Sequence, residues 1–512
     1  MAGRVDGTGA GVQFFWAQQS VFATPVIPTT RLRLTLPEDL KAVREYHVSE
    51  EPTPQRGRAS MTEISRTAEG PLNFEVRTEG MGPMYKGALG SDEDVVTLTG
   101  ADGGVRCQVD ADYTTGSTYL YMDYIDQTTG NFPASGRFSL AYRTGGVTSA
   151  QLTSVANVQY TSIVGNAFVM PSALAAGSAI QVEDFVFLYD AAYASATPPV
   201  QTHVYAAGDN LNTISTYGIL RDIETFYYYS CKTQTLTETY DNQAVVTGSI
   251  EVFAGDEFSG GVLNAQADPT DTQIEIDDVD NDVRNFGIFY PSGGTIWIGD
   301  ESAITFTGVD TGNNLLTGIP AGGTGSITEI HYTSPEKETV SGASITSVAL
   351  GDLDDSLASY NAGTFTRVDV GGIAAFAMEV LSCNYTVTNN LATEKVPLGT
   401  KERAALPAGI RDTTITAHIE FDSPEEYNRV IRGTDMRFEI RGIDALTDIG
   451  ATGVSKRNDT IFQKVRWTEG PPVVSSTDLI EYDLNGQALV GARWPEIIKV
   501  LVNSQASATA GG

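Results

Sequence analysis

The stretch from Thr413 to Gly433, TTITAHIEFDSPEEYNRVIRG, predicts a strand that leads into a capped helix. Its first half alternates apolar and polar residues with period two, which is typical of a strand with one buried face. Ser423 then stands at the N-cap position, Pro424 at the first helical position and Glu426 at the capping-box position. We therefore expect a short helix that ends at Gly433.

A second copy of this pattern lies near the start of the chain. Residues 72–76 alternate apolar and polar side chains, and residues 82–89 form a short helical run that Gly90 can end. An upstream strand at residues 31–34 precedes this copy by about the gap that separates residues 377–380 from the other. Strand-helix units are common, but the shared order predicts an internal duplication of strand, long loop, strand and helix.

The composition favours an all-β protein with several domains. The chain has 512 residues, 52 of them Gly, and it is rich in Thr and Ser, which is typical of strands and turns. No apolar run is long enough to span a membrane. The N-terminus has no charged-then-apolar signal pattern, so we expect the chain to stay where it is translated or to leave only within an assembly.

The pattern of reactive residues argues against catalysis. The cysteines Cys107, Cys231 and Cys383 are far apart and odd in number, which predicts buried free thiols in a reducing compartment. The histidines lie in unrelated segments, and the sequence has no nucleophile elbow, phosphate-binding loop or dinucleotide fingerprint. We predict that the protein is not an enzyme and needs no cofactor.

The charge is strongly acidic. A formal net charge of −32 argues against ordinary nucleic-acid binding, which needs Lys and Arg to neutralise phosphate. A surface past which DNA must slide without sticking should repel phosphate, so an acidic lumen would suit a conduit. A soluble acidic protein without any such role has the same net charge.

Composition shifts divide the chain into four regions. Residues 1–91 and 201–266 form a predicted first core domain, and residues 346–512 form the second. Residues 92–200 and 267–345 read as two copies of a small β-module inserted into, or between, the core domains, because Pro133–Phe138 matches Pro291–Ile296. Insertion into a surface loop costs little entropy.

Three further segments are predicted to be irregular. Residues 1–30 read as an arm whose aromatic cluster, Phe14 to Trp16, docks on a neighbouring surface, and residues 500–512 read as a loose tail. Residues 35–66 read as a long charged loop, which inside a compact domain is usually functional.

One acidic cluster could hold a metal ion. Asp278, Asp280 and Asp282 offer hard oxygen ligands, but the segment lacks the Gly and the bidentate Glu that an EF-hand requires. A solvated acidic turn is the favoured interpretation, and an irregular calcium site is the alternative.

The pattern resembles the tail tube (major tail) proteins of long-tailed bacteriophages. The resemblance lies in the order of strand, charged loop, Gly70-x-Leu72-x-Phe74-Glu75 strand and short helix. Residues 246–251 and the 416–427 strand-helix unit are also typical of the family. The inserted modules resemble the small Ser-Gly-Thr-Ile β-modules that decorate such virion proteins.

The resemblance implies two tube-type β-sandwich or barrel domains, each with a flanking short helix. Their strands would join those of neighbouring chains into a ring, three chains being favoured and six possible, and the rings would stack in a virion tail assembled in the host cytoplasm. The implied partners are further copies of the chain, the tail terminator and distal tail proteins, and the tape measure protein and then genomic DNA in the lumen. Charged residues of two loops, 35–66 and 389–411, are the expected contacts between subunits and rings: Glu45, Glu50, Arg56, Arg58, Lys395, Lys401 and Arg403.

The alternative hypothesis is an acidic surface adhesion protein built from β-modules, with a sugar or calcium as ligand. A secreted glycosidase is a third hypothesis, which the missing signal pattern disfavours.

Overall fold

The structure is a computed structural model. It describes residues 12–22, 26, 28, 30–48, 61–90, 95–123, 132–144, 151–175, 179–208, 211, 213–221, 224–241, 245–258, 262–263, 265–277, 294–298, 304–310, 313, 315–322, 324–327, 338–340, 359–369, 375–377, 380–394, 396, 403–420, 425–469, 481–491 and 493–506.

Strands dominate these residues, so the all-β prediction is confirmed. The strands up to residue 206 are β1 Val12–Gln19, β2 Thr30–Leu32, β3 Lys41–Val48, β4 Met61–Glu75, β5 Val95–Thr99, β6 Ala101–Gln108, β7 Tyr119–Tyr121, β8 Gly136–Thr144, β9 Gln151–Tyr160, β10 Ser162–Val164, β11 Ala167–Val169, β12 Phe185–Tyr189 and β13 Gln201–Ala206. The next are β14 Ile214–Arg221, β15 Glu224–Asp241, β16 Thr247–Ala254, β17 Asp256–Phe258, β18 Val262–Leu263, β19 Gln273–Asp277, β20 Gly294–Ile298, β21 Ile304–Phe306, β22 Gly308–Asp310, β23 Leu315–Thr317 and β24 Glu338–Val340. The last are β25 Ser359–Asp369, β26 Ala375–Ala377, β27 Val380–Thr388, β28 Asp412–Glu420, β29 Met436–Asp448, β30 Ser455–Glu469, β31 Glu481–Leu489 and β32 Ile497–Asn503. The helices are α1 Gly82–Leu89, α2 Ala191–Ser195 and α3 Glu425–Arg432, with a 3₁₀ turn at Ile449–Ala451.

Two sets of elements repeat the same strand order. We call β1–β4, α1 and β14–β17 unit 1, and β25–β31 with α3 unit 2. In unit 1 the sheet runs β4–β16–β15–β14–β1, and in unit 2 it runs β28–β31–β30–β29–β25. The two predicted strand-helix pairs, β4 with α1 and β28 with α3, stand at matching places. The pairing order therefore agrees with the predicted duplication.

One sheet passes through both units. β15 pairs with β27 over seven residue pairs, which gives the antiparallel order β3–β4–β16–β15–β27–β28–β31–β30. One side of this sheet covers the largest apolar core, to which both units contribute: Leu72 and Phe74 from β4, Tyr385 from β27 and Trp467 from β30 are all buried in it. We call the eight strands the through-sheet.

The two predicted modules also share the pairing order of six of their seven strands, whereas β6 pairs with β12 and β18 with β19. Module 1 is β6–β12 and module 2 is β18–β24. In module 1 β8 pairs with β9 and β12, and β11 pairs with β10 and β7; in module 2 β20 pairs with β21 and β24, and β23 pairs with β22 and β19. The exact domain boundaries remain a prediction.

The predicted loose tail is wrong for residues 500–503. These residues belong to β32, a fully buried strand that pairs with β13 on one side and β30 on the other. β13 also pairs with β5, so the two ends of the first insertion are held against unit 2. The apolar alternation of this short strand does not stand out in sequence because both of its faces are covered.

The two other irregular segments also contain strands. Residues 12–19 form β1 instead of an irregular arm, and Phe14 and Trp16 pack into the main core. Within residues 35–66, β3 pairs with the first half of β4, so the predicted loop is partly a hairpin. β1 depends on β14, a partner distant in sequence, whereas β3 is a charged, largely exposed hairpin strand without a clear apolar alternation.

Candidate functional site

The through-sheet has one polar face, built from rows of residues that lie opposite one another across the strands. One row runs Asn73, Ser249, Thr237, Thr386, Thr414, Gln487, Arg466. The next runs Glu75, Thr247, Thr239, Asn384, Thr416, Asn485, Glu469. Flanking positions add Glu251, Thr235, Thr388 and Asp412 at one end, and Asp241, Ser382, His418, Asp483, Glu420 and Glu481 at the other. We call these residues the polar face.

Strand periodicity separates this face from the core beneath it. The neighbouring row on the opposite side runs Phe74, Gly248, Glu238, Tyr385, Ile415, Gly486, Trp467. Successive side chains of a strand point to opposite faces, so one set packs into the core and the other faces solvent. The result is a hydroxyl-rich surface that continues across the joint between the units.

Side-chain hydrogen bonds tie the polar face together across strands. Thr237 and Thr386 hydroxyls lie 3.0 Å apart at the joint between β15 and β27. Thr416 donates to Asn485 Oδ1 at 2.9 Å, and the Gln487 amide donates to Asp412 at 3.0 Å. Cross-strand pairs of this kind stabilise a sheet and hold its register.

The polar face carries more acidic than basic residues. His418 Nδ1 lies 2.8 Å from Asp483 and Nε2 lies 3.2 Å from Glu481. Partial burial lowers the pKa of His418, but the hydrogen bonds to both carboxylates outweigh it and raise the pKa overall. Arg466 is bonded to Asp435 at 2.7 Å. The charges at these two positions are therefore balanced by acids, and the rest of the face presents hydroxyls, amides and carboxylates.

A buried ionic network braces the core below the joint. Lys499 on β32 donates to Glu238 on β15 at 2.9 Å, and both side chains are completely buried. Tyr85 of α1 and Tyr240 donate to the same carboxylate at 2.7 and 2.6 Å. Burial lowers the pKa of Lys499; burial raises that of Glu238, but Lys499 and the tyrosine hydroxyls outweigh it, so its net pKa is lowered. The carboxylate is thus held charged by three donors.

A second buried cluster holds module 1 against unit 2. Arg106 on β6 reaches Glu439 on β29 at 2.9 Å and Asp459 on β30 at 2.6 Å. Arg437 lies 3.0 Å from Asp123 and 3.2 Å from Glu439. These ion pairs fix module 1 to unit 2.

The predicted contact residues fall in different environments. Glu45 is exposed on β3. Arg403 is buried against its own chain, with Nη1 3.4 Å from Ala254 O and the guanidinium 5.4 Å from the Phe253 ring centre. Glu50, Arg56, Arg58, Lys395 and Lys401 lie outside the described residues. The contact roles remain predictions.

The predicted metal ligands Asp278, Asp280 and Asp282 also lie outside the described residues. Within the residues that the structure does describe, no group of three His, Cys, Asp or Glu side chains could hold a metal ion. The three cysteines are buried and free, and burial raises the pKa of each thiol.

Comparison with known proteins gives no family for this chain. No protein-family model matches the sequence, and no curated protein matches it significantly. Among the described helices, none has the length and apolarity that a membrane crossing requires.

Proposed function

We propose that this protein is a tail tube protein of a long-tailed bacteriophage, which assembles into stacked rings around a lumen for DNA. The observation that carries the proposal is the joint between β15 and β27. There two repeated units merge edge to edge into one sheet, and the polar rows cross the joint without interruption. A repeat that adds strands edge to edge can continue into the next chain.

The outer strands of the through-sheet support this continuation. In the described part of the chain, β3 pairs with β4 alone. At the other end, β29 pairs with β30 only as far as Val465, so the Arg466–Glu469 edge has no described strand on that side. Open strand edges are sites for pairing with another chain, and closing a sheet into a ring removes them.

The internal repeat also supports a ring stoichiometry. Each chain supplies two equivalent units, so three chains would give a ring with pseudo-sixfold symmetry. A ring of six chains, each using one core, is the alternative.

The chemistry of the polar face suits a conduit. Rows of Thr, Asn and Ser with interspersed carboxylates offer DNA phosphates no array of cations to bind. In the proposed ring this face lines the lumen, through which the tape measure protein and then the genome pass. Module 1 is anchored through the cluster at Arg106, and in the proposed ring the modules would lie outside the wall.

Negative-stain electron microscopy of the purified full chain tests the proposal. We expect rings or tubes of uniform bore at raised protein concentration. A chain that stays monomeric across protein concentration, salt and magnesium would contradict it.

One observation favours a second candidate, carbohydrate binding by module 1. Tyr119 and Tyr121 are 44% and 54% exposed, and their rings stack with centres 6.4 Å apart and planes 21° apart. Exposed aromatic pairs present a flat amphipathic surface to a ligand. Glycan-array binding that Tyr119→Ala abolishes would support this candidate, and an array without signal would dismiss it.

A further inference from the structure

The described residues of the connection between β27 and β28, 389–394, 396 and 403–411, contact unit 1 of their own chain. Asn389 Nδ2 donates to Ala88 O at 2.9 Å and to Thr233 O at 3.0 Å, which joins the end of α1 to β15. Arg403 lies at Ala254 O, the end of β16, as described above. These residues therefore cover the corner of unit 1 where α1 and β16 end beside the middle of β15, and all eight residues of α1 are buried.

The pairing of β15 with β16 and of β30 with β31 identifies the matching corner of unit 2. Lys232 faces Phe253 across β15 and β16, and Lys464 faces Leu489 across β30 and β31. Ala254 thus corresponds to Val490, the next residue. Helices α1 and α3 have the same length and are each followed directly by a glycine, Gly90 or Gly433, so their C-terminal ends also correspond.

The unit 2 corner is open where the unit 1 corner is covered. Ile431 near the end of α3 is 65% exposed, and Val490 is 56% exposed. Asn428 and Arg432 of the same helix are exposed as well. We call Ile431, Val490 and Arg432 the open corner.

The segment of unit 1 that matches the 389–411 connection is the β3–β4 hairpin. In unit 1 this hairpin occupies the place that the connection occupies in unit 2, since β3 precedes β4 as β27 precedes β28. Its described part exposes Tyr46 by 47%, Met61 by 63% and Ile64 by 52%, along with Glu45. Large apolar side chains exposed together mark an interaction surface.

We infer that the β3–β4 hairpin of one chain docks on the open corner of the next chain in the same ring. This inference rests on the proposed ring and names the surfaces that join its chains. The contact would repeat between chains what residues 389–411 do within one chain. The apolar residues Tyr46 and Ile64 would cover Ile431 and Val490 of the open corner. From the sequence we expect residues 35–66 to contact subunits and neighbouring rings. The inferred docking of the hairpin is a contact within the ring.

The junction is heterologous, because hairpin and corner are different surfaces, and this allows a mixing test. One variant carries Tyr46→Lys and Ile64→Lys, and a second carries Ile431→Lys and Val490→Lys. All four positions are exposed, so each variant should keep the circular dichroism spectrum and Tm of the parent. We expect each variant alone to lose rings and remain monomeric by mass photometry.

An equal mixture of the two variants should form dimers and nothing larger. The intact hairpin of the second variant docks on the intact corner of the first, and both remaining surfaces are blocked. Tyr119→Lys with Tyr121→Lys, an exposed apolar pair on module 1, is the matched control and should assemble as the parent does.

The alternative outcomes are distinguishable. Parent rings that persist in both variants would overturn the inference and leave the proposed tube standing. Single rings that form but no longer stack in the hairpin variant would also overturn it, since the hairpin would then act between rings. A parent chain that forms no rings would contradict both the inference and the proposed function.

Discussion

Two histidines show how position in the fold sets protonation. His203 on β13 is buried, with Nε2 3.1 Å from Asn503 Oδ1 and 3.0 Å from Gln505 O, and Nδ1 2.8 Å from the Thr97 hydroxyl. Burial lowers the pKa of His203 to about 4, although the bonds to Asn503 and Gln505 act in the opposite direction. His418, on the wet polar face beside two carboxylates, has a raised pKa instead.

The first prediction concerns acid stability. A lowered folded-state pKa means that His203 contributes stability above the unfolded pKa of about 6.5, and that this stability is lost as the pH falls toward about 4. We expect His203→Gln to flatten the decline of the free energy of unfolding over this interval, by up to about 3 kcal/mol. Urea denaturation at a series of pH values measures this, and equal slopes for parent and variant would contradict it.

The second prediction concerns the ion pair beneath the joint. Lys499→Met leaves the Glu238 carboxylate buried without its cation, so we expect the free energy of unfolding to fall by about 3–5 kcal/mol. Adding Glu238→Gln should restore most of the loss, because the neutral amide no longer needs a cation.

Lys41→Met is the matched control for this pair. Lys41 bonds Asp39 at 2.8 Å, but their side chains are 60% and 62% exposed. An exposed pair contributes about 1 kcal/mol or less. Urea denaturation that gives similar losses for Lys499→Met and Lys41→Met would contradict the account.

At the scale of elements, the two units fill the same pair of facing core positions, but the large residue of the pair lies on a different strand in each unit. Phe74 on β4 faces Gly248 on β16, whereas Ala417 on β28 faces Leu484 on β31. A Cβ added at Gly248 would overlap the Phe74 ring. Interiors are close-packed, so the volume given to one strand is taken from its neighbour.

The third prediction concerns variants that give the unit 1 pair the residue sizes found in unit 2. Phe74→Ala should lower the free energy of unfolding by about 3–5 kcal/mol through the cavity it leaves. Phe74→Ala with Gly248→Leu reproduces the pair found in unit 2 and should recover part of the loss, whereas Gly248→Leu alone should destabilise. A double variant less stable than Phe74→Ala alone, by thermal unfolding, would contradict the register we assign.

Local patterns predicted the elements whose signals are contained in a short window. The alternation at residues 413–420 and the glycine at 433 gave β28 and the end of α3, where Gly433 has a φ of +61°. Strands β1 and β32 were missed because they pair with strands far away in sequence, and β3 because its charged, largely exposed sequence shows no clear apolar alternation. The polar rows could not be predicted either, since a row depends on the register of seven strands at once.

At the scale of the whole molecule, the duplication matters because it produces one sheet. Two separate sandwiches would each have their own edges, whereas here β15 and β27 use one edge of each unit inside the chain. The buried charges at Glu238 and Arg106 then hold β32, α1 and module 1 against that sheet. With a net charge of −32, the surface as a whole repels phosphate.

The central claim is that the polar face lines the lumen of a closed ring, and size-selective labelling of Thr237→Cys tests it most directly. In assembled tubes, a small maleimide should react with this cysteine, whereas a maleimide carrying a large polymer should not enter the bore; Tyr121→Cys on module 1 should react with both. After disassembly, both reagents should label Thr237→Cys. Equal reaction of Thr237→Cys with the large reagent in intact tubes would place the polar face outside and contradict the account.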